Sequence, residues 1–107
     1  MAKKRPFELV YDPEVAQHIT SIDRKYHSLI RRAIQEQLSY EPEVETRNRK
    51  PLTRPTVFGT AWELRFGPEN RLRVFYRTAA KVHEVRILAV GVKYGNRLFI
   101  AGEEFIL

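Results

Sequence analysis

Residues 60–77 read Thr-Ala-Trp-Glu-Leu-Arg-Phe-Gly-Pro-Glu-Asn-Arg-Leu-Arg-Val-Phe-Tyr-Arg. Apolar and polar side chains alternate on both sides of Gly-Pro-Glu-Asn, a composition typical of a turn. Because successive side chains of a strand point to opposite faces, the segment predicts a β-hairpin with one inward and one outward surface. The inward surface is predicted to contain Trp62, Leu64, Phe66, Leu72, Val74 and Tyr76. The outward surface is predicted to contain Ala61, Glu63, Arg65, Arg71, Arg73, Phe75 and Arg77.

The segments before and after the hairpin predict a single α+β domain over residues 1–107, with a strand and a helical hairpin packed on an antiparallel sheet. Residues 7–11 alternate as a strand does, and Asp12-Pro13 is typical of a helix start, with Asp12 as the N-cap. Apolar residues then recur at helical spacing on both sides of the polar stretch Asp23 to Lys25, a pattern that two helices or one kinked helix would give. A helical hairpin is preferred, because a straight helix of this length would overhang so small a domain. The apolar residues are Val15, Ile19, Ile22, Tyr26, Leu29, Ile30, Ala33, Ile34 and Leu38.

The second half of the chain predicts a loop and two further strands. Residues 43–59 contain prolines, a glycine and no sustained periodicity, so they are expected to form a loop. Residues 82–90 become continuously apolar at their end, as a central strand covered on both faces does. Residues 97–101 predict a short last strand after a turn at Tyr94-Gly95-Asn96.

Composition limits the classes of function that the chain can perform. Its 19 Lys and Arg exceed its 13 Asp and Glu, and the resulting charge of +6 favours polyanions such as nucleic acid or an acidic protein. The absence of cysteine excludes disulfides, thiolate metal sites and thiol nucleophiles. Neither a secretion signal nor a membrane-spanning segment is indicated, so a cytoplasmic location is expected.

Basic residues form two groups that predict contacts with a polyanion. One group lies in the predicted loop and comprises Arg47, Arg49, Lys50 and Arg54. The other is the outward surface of the hairpin, where arginines could bind phosphate oxygens and Phe75 could stack on a base. The alternative interpretation of that surface is a solvated strand face with cross-strand Glu–Arg pairs.

Other polar residues give no prediction of metal or cofactor chemistry. The three histidines, His18, His27 and His83, are isolated and lack metal-ligand spacing, and Glu103-Glu104 is interpreted as a solvated or salt-bridged pair. No glycine-rich phosphate loop precedes a helix, and no serine lies in a nucleophile elbow. Neither a metal nor a cofactor is expected.

The order of the predicted elements resembles the RelE/ParE superfamily of bacterial toxins over nearly the whole chain. The motifs that carry the resemblance are Ala61-Trp62-Glu63-Leu64-Arg65 and Leu72-Arg73-Val74-Phe75-Tyr76, which follow the strand, the two helices and the basic loop. Residues 46–52, Thr-Arg-Asn-Arg-Lys-Pro-Leu, look like the HigB-type branch. The resemblance implies a RelE-like fold.

The resemblance also implies the toxin of a type II toxin–antitoxin system. Such toxins are usually ribosome-dependent endoribonucleases that cut mRNA and thereby inhibit translation, so the ribosome, mRNA and a cognate antitoxin are the implied partners. In that chemistry the ribose 2′-hydroxyl attacks the adjacent phosphate without a metal, and basic side chains stabilise the charge that develops. Position by position, Arg73, Arg65 and Lys93 match basic residues of the family.

The sequence departs from the RelE branch at the positions that would transfer protons. Lysines of that branch appear here as Ala61 and Glu63, and its late tyrosine falls near Phe99. Glu63 is therefore a candidate general base and Tyr94 a candidate acid, although each could equally be structural. Two other functions stay open: a ParE-like protein that inhibits DNA gyrase and cuts nothing, and a degenerate toxin that only binds its antitoxin.

Overall fold

The computed structural model describes residues 5–54, 57, 59 and 61–106, which form an α+β fold. Within these residues the α-helices are α1, Val15–Thr20, and α2, His27–Leu38. The strands are β1, Glu8–Tyr11; β2, Arg49–Pro51; β3, Trp62–Phe66; β4, Leu72–Ala79; β5, Glu84–Tyr94; β6, Arg97–Ile100; and β7, Glu103–Phe105. Short 3₁₀ turns occupy Arg24–Tyr26, Pro68–Asn70 and Ala80–Val82.

All seven described strands belong to one sheet. Strands β2 to β7 lie side by side in sequence order with antiparallel neighbours, and β1 pairs in parallel with the first part of β5. The predicted fold class is thereby confirmed, including the N-terminal strand. No helix in the described part of the chain is long and apolar enough to cross a membrane.

The two helices cover one face of the sheet, as their apolar spacing predicts. Ile19, Ile30 and Ile34 pack in one cluster with the inward residues of the hairpin, and Ile30 and Ile34 have no exposed surface. The two predicted helices are confirmed as α1 and α2, which are separated by residues 21–26 around the predicted polar stretch. The Asp23 carboxylate accepts the Lys25 N–H at 3.0 Å and caps the 3₁₀ turn between the helices.

The prediction that Asp12 caps α1 is wrong. The helix begins at Val15, and its first turn has no described side-chain cap. The Asp12 carboxylate instead accepts a hydrogen bond of 2.9 Å from Arg86 Nη1 on β5. The Asp12 side chain, which the sequence pattern assigned to the helix N-cap, therefore pairs with an arginine of β5 instead.

The predicted hairpin is confirmed as β3 and β4. Trp62 pairs with Tyr76, Arg65 with Arg73 and Phe66 with Leu72. The inward residues Leu64, Val74 and Tyr76 are fully buried against the helices. Gly67 begins the turn with φ 79° and ψ −171°, a conformation that is essentially restricted to glycine.

Replacing Gly67 with Ala is expected to destabilise the protein more than replacing Gly95, which also has a positive φ of 60°. A Cβ at Gly67 would lie 2.8 Å from Leu72 Cδ1, whereas a Cβ at Gly95 would meet nothing within 4 Å. Backbone strain costs about 1–2 kcal/mol for a non-glycine residue at an ordinary left-handed position and about 1–3 kcal/mol in the glycine-restricted conformation of Gly67, and crowding of buried Leu72 adds about 1–3 kcal/mol at Gly67. Urea unfolding of the two variants measures the difference. Equal losses would contradict both the additional backbone strain and the crowding at Gly67.

The outward surface of the hairpin is only partly exposed, so the prediction for Phe75 is wrong. Phe75 is fully buried in a second apolar cluster on the face of the sheet opposite the helices. Its partners there are Ala89, Leu98 and Ile100, with Leu52 and Phe105 packed against them. Alternation predicts the face of a side chain correctly, but this face contains a core of its own.

The second half of the chain differs from the predictions at three strands, β2, β5 and β7. The loop predicted over residues 43–59 contains β2, which pairs with β3. The strand predicted over residues 82–90 begins only at Glu84 and continues to Tyr94, because Val82 lies in a 3₁₀ turn and is 66% exposed. The predicted strand at residues 97–101 is confirmed as β6, and β7 follows it without having been predicted.

His18 on α1 is half-buried and supports β5 between the ends of β1 and β6. The Val90 backbone N–H donates to His18 Nδ1 at 3.3 Å, so this nitrogen must be unprotonated. Burial lowers the pKa of His18 below its ordinary value, and nearby Glu14 only partly opposes the change. The imidazole therefore binds a proton less readily in the folded chain than in the unfolded chain.

Stability is expected to fall when the pH drops below about 6.5, the ordinary pKa of histidine. The contribution of neutral His18 is complete above that pH and is lost as the pH falls through the lower folded-state pKa. Thermal unfolding between pH 5 and 7.5 should show this loss in the wild type. In His18→Gln, whose side chain does not titrate, the change should be smaller, because a hydrogen bond worth about 1 kcal/mol no longer depends on pH. Identical pH profiles would contradict the assignment.

Candidate nucleic-acid interface

Two arginines and one carboxylate form the centre of the sheet face opposite the helices. Arg65 and Arg73 are paired directly across β3 and β4. Arg65 Nε donates to Glu63 Oε1 at 2.7 Å, and Arg73 Nη1 donates to Glu63 Oε2 at 3.2 Å. Arg73 Nε also donates to the Asn70 carbonyl at 2.8 Å. We call Glu63, Arg65 and Arg73 the arginine cluster.

The members of the arginine cluster differ in exposure. The side chain of Glu63 is 5% exposed and that of Arg73 is 10% exposed, whereas that of Arg65 is 38% exposed. One carboxylate faces two guanidinium groups, so the cluster keeps a net positive charge. A buried carboxylate held by charge-assisted hydrogen bonds fixes the positions of both arginines.

Lys93 extends this basic face onto β5. Arg73 is paired with Gly91, and Lys93 follows two positions later on the same face. The Lys93 backbone N–H donates to the Arg71 carbonyl at 2.8 Å. A Cβ at Gly91 would lie only 2.7 Å from the Phe99 carbonyl oxygen, so a glycine here lets β6 approach β5 beside the cluster. The structure thus places all four predicted catalytic residues, Arg65, Arg73, Lys93 and Glu63, on one face.

Residues 46–51 place further cations beside the arginine cluster. The Arg65 backbone N–H donates to the Asn48 carbonyl at 2.8 Å, and Asn48 Nδ2 donates to the Arg65 carbonyl at 2.8 Å. Lys50 is paired with Glu63 across β2 and β3, and its ammonium lies 3.4 Å from Glu45 Oε2. This segment is therefore fixed to the strand that carries Arg65. The predicted contacts Arg47 and Arg54, together with Arg77 on β4, are exposed.

Arg49 is a structural residue, so its predicted role in binding is wrong. It is 8% exposed and is paired with Leu64, on the helix-facing side of the sheet. Its Nε donates to the Val44 carbonyl at 2.9 Å, and its Nη1 donates to both the carbonyl and the side-chain oxygen of Gln37 at 2.9 Å. The guanidinium thus satisfies carbonyls near the end of α2 and joins β2 to the helix.

Arg71 lies away from the arginine cluster. Its guanidinium donates to Glu69 at 2.8 Å and lies 5.7 Å from the centre of the Tyr94 ring, in a cavity that Tyr26 also lines. This cavity is on the helix-facing side. Tyr94 shares that side, so neither the outward placement predicted for Arg71 nor the acid role considered for Tyr94 agrees with the structure.

Asn48 and Asn70 are site-supporting residues that the sequence interpretation missed. Asn48 clamps the basic segment to β3, and the Asn70 carbonyl positions Arg73. The sequence does contain a signal for Asn48, which is the Thr-x-Asn pattern of a side-chain-stabilised turn. In the structure the Asn48 N–H donates to Thr46 Oγ1 at 3.1 Å, as this pattern predicts. The Asn70 contact uses the backbone, which no residue pattern identifies.

In the part of the chain that the structure describes, the histidines and Glu104 have structural contacts. His83 stacks on Phe7 with ring centres 3.8 Å apart, and Glu104 accepts from Arg97 Nη2 at 2.8 Å, as the salt-bridged interpretation predicts. In the described ranges, no group of three or more His, Cys, Asp or Glu residues is placed to hold a metal ion.

Comparison with known proteins identifies the fold. A chain of the toxin–antitoxin complex RelBE2 from Mycobacterium tuberculosis superposes on this chain with a TM-score of 0.69. The match covers 87% of this chain and 98% of that chain, with 22% identical residues. No protein-family model and no curated protein matches the sequence. The fold is therefore RelE-like, as the resemblance implied.

Proposed function

We propose that this protein is the toxin of a type II toxin–antitoxin pair and that it cleaves mRNA on the ribosome. The observation that carries the proposal is the pair of directly opposed arginines, Arg65 and Arg73, held by one buried carboxylate on a basic sheet face. The RelE-like fold supports the proposal, because the similar chain was solved within a toxin–antitoxin complex. The HigB-type assignment and a cytoplasmic location belong to the same proposal.

Stabilisation of negative charge is the main contribution that the protein would make to the cleavage step. When the ribose 2′-hydroxyl gives up its proton and its oxygen attacks the adjacent phosphorus, the bond to the 5′-oxygen breaks. The 5′-oxygen takes up a proton, so the products are a cyclic phosphate and a 5′-hydroxyl. Negative charge grows on the phosphate oxygens during this step, and fixed guanidinium groups stabilise it without reorganisation. We assign this role to Arg65 and Arg73, with Lys93 beside them.

Glu63 is better suited to holding the arginines than to accepting the proton of the 2′-hydroxyl. Both of its oxygens accept hydrogen bonds from guanidinium groups, and its side chain is 5% exposed. A general base must approach the substrate hydroxyl to hydrogen-bond distance. We therefore propose that Glu63 is a positioning residue, and we assign the proton transfers to no residue of the chain.

The exposed and partly exposed cations around the cluster are proposed to provide the remaining contacts. Arg47, Lys50, Arg54 and Arg77 are proposed to bind RNA phosphates of the message or the ribosome. The same basic face is the proposed binding surface of an acidic antitoxin segment. The net charge of +6 would speed both associations.

Expression of this chain alone in bacteria tests the proposal, with protein synthesis, mRNA integrity and DNA integrity followed together. The proposal expects arrest of protein synthesis and cut mRNA while DNA stays intact. DNA damage with intact mRNA would instead support gyrase inhibition. Unimpaired growth at full expression would indicate a protein that retains only antitoxin binding.

A further inference from the structure

A second site lies on the helix-facing side of the same end of the sheet. It is a cavity of about 380 Å³ between the α1–α2 connection and strands β4, β5 and β6. This volume lies within the range of about 300–1,000 Å³ typical of ligand sites. Leu72 and Val92 contribute apolar lining, and the aromatic rings of Tyr26, Tyr94 and Phe99 line it as well.

Each of these three rings is paired with a cation. Lys25 Nζ lies 5.1 Å from the centre of the Tyr26 ring. Arg71 lies 5.7 Å from the Tyr94 ring and Arg97 lies 5.4 Å from the Phe99 ring. Tyr94 is 55% exposed, so its ring is accessible from solvent. Aromatic rings interleaved with cations are the combination by which proteins hold single-stranded nucleic acid, the rings stacking on bases and the cations binding phosphates.

Asp23 is the carboxylate that lines the cavity, and it accepts the Lys25 backbone N–H at 3.0 Å. Two more carboxylates lie beside the cavity on its arginines, and they do not prevent binding of an anion. Glu69 pairs with Arg71 and Glu104 pairs with Arg97, but their side chains are 74% and 41% exposed. Exposed ion pairs of this kind contribute little stability, so a phosphate can compete for both guanidinium groups. The aromatic rings would keep their positions when the two arginines exchange these carboxylates for phosphates.

The cavity and the basic face lie on opposite faces of the sheet at the same end. Arg71 and Lys93 are joined by a backbone hydrogen bond of 2.8 Å, and their side chains point to opposite faces. The turns at residues 67–70 and 95–96 close this end. A single-stranded RNA bound at Arg73 and Lys93 would pass around these turns to reach the cavity.

We infer that the cavity binds a nucleobase of the single-stranded RNA whose phosphate lies at the arginine cluster. Stacking against Tyr94 and Phe99 would hold the base, and Arg71 and Arg97 would bind the flanking phosphates. The inference rests on the proposed function for the identity of the strand. It adds a contact that positions the message beside the cleaved bond.

RNA binding by the full chain tests the inference. The probes are single-stranded RNA octamers made resistant to cleavage by 2′-O-methyl groups, each with one 2-aminopurine at a different position. Stacking on an aromatic ring quenches this base, so binding should quench the fluorescence strongly at one position. Tyr94→Leu and Phe99→Leu should each remove that quenching and weaken binding about tenfold, whereas Phe99→Tyr should keep both.

A matched control is Tyr40→Leu, which removes an aromatic side chain that is 51% exposed and does not line the cavity. It should change neither affinity nor quenching. Thermal unfolding of each variant shows that the fold is kept, and exposed Tyr94 is the safer of the two positions. Uniform quenching at all positions, or unchanged binding by Tyr94→Leu, would overturn the inference. Loss of antitoxin binding with unchanged RNA binding would assign the cavity to a protein partner instead.

The Arg73→Ala variant separates this inference from the proposed function. It should lose cleavage but retain quenching of the base in the cavity. If the wild-type chain leaves mRNA intact, the proposed function fails, and the quenching result still decides the cavity independently. If quenching is absent but Arg73→Ala abolishes cleavage, the inference alone fails.

Discussion

Replacing Arg73 with Ala is expected to lower mRNA cleavage about 100- to 1,000-fold, the loss seen when one fixed donor to a transition-state oxyanion is removed. Growth arrest should disappear with it. The Arg73 guanidinium is held by Glu63 and by the Asn70 carbonyl, so its position is fixed before substrate binds. Cleavage of a reporter mRNA in a translating extract measures the loss.

Two further variants serve as comparisons for the Arg73→Ala result. Arg73→Lys keeps the charge but loses the planar fork, so it should retain only a small part of the activity. Lys81→Ala removes one exposed positive charge from the 3₁₀ turn at Ala80–Val82, away from the arginine cluster, and should cleave like the wild type. Full toxicity of a folded Arg73→Ala protein would refute the assigned role.

Replacing Glu63 with Ala is expected to destabilise the fold by about 3 kcal/mol and to abolish cleavage. Removing one partner of a buried ion pair typically costs about 3–5 kcal/mol, because the remaining charge is left uncompensated. The lower value applies here, since Arg65 is 38% exposed and regains water, while Arg73 is only 10% exposed. Urea unfolding measures the stability and the translating extract measures the cleavage.

Glu63→Gln distinguishes a positioning residue from a general base. The amide keeps the shape of the side chain and one oxygen acceptor, so one arginine stays in place. A positioning role therefore predicts a smaller loss of stability and partial activity. Complete loss of cleavage by a stable Glu63→Gln protein would show instead that the carboxylate accepts the proton.

The sequence predicted the hairpin well because two independent signals agree there. Alternation assigned Leu64, Val74 and Tyr76 to the core, and the Gly-Pro-Glu-Asn turn set the register that pairs Arg65 with Arg73. The residue pattern also brought Glu63 to the same face. The arginine cluster was therefore predictable in composition, although its burial was not.

The errors share a physical cause, which is that residue type does not specify which neighbours cover a side chain. Phe75 was assigned to the correct face but is covered by Leu98 and Ile100 from β6. Arg49 appeared within a basic loop, yet its pairing with Leu64 directs it to carbonyls near α2. Long-range partners decided both cases, and single-sequence periodicity contains no information about them.

The parallel pairing of β1 with β5 has a consequence for the order of folding. The β3–β4 hairpin closes a short loop and can form within microseconds, whereas β1 must find a strand near the other end of the chain. During synthesis Arg65 and Arg73 therefore meet early, but β5 with Lys93 leaves the ribosome later. A nascent chain would therefore acquire its complete basic face only after most of the chain has been translated.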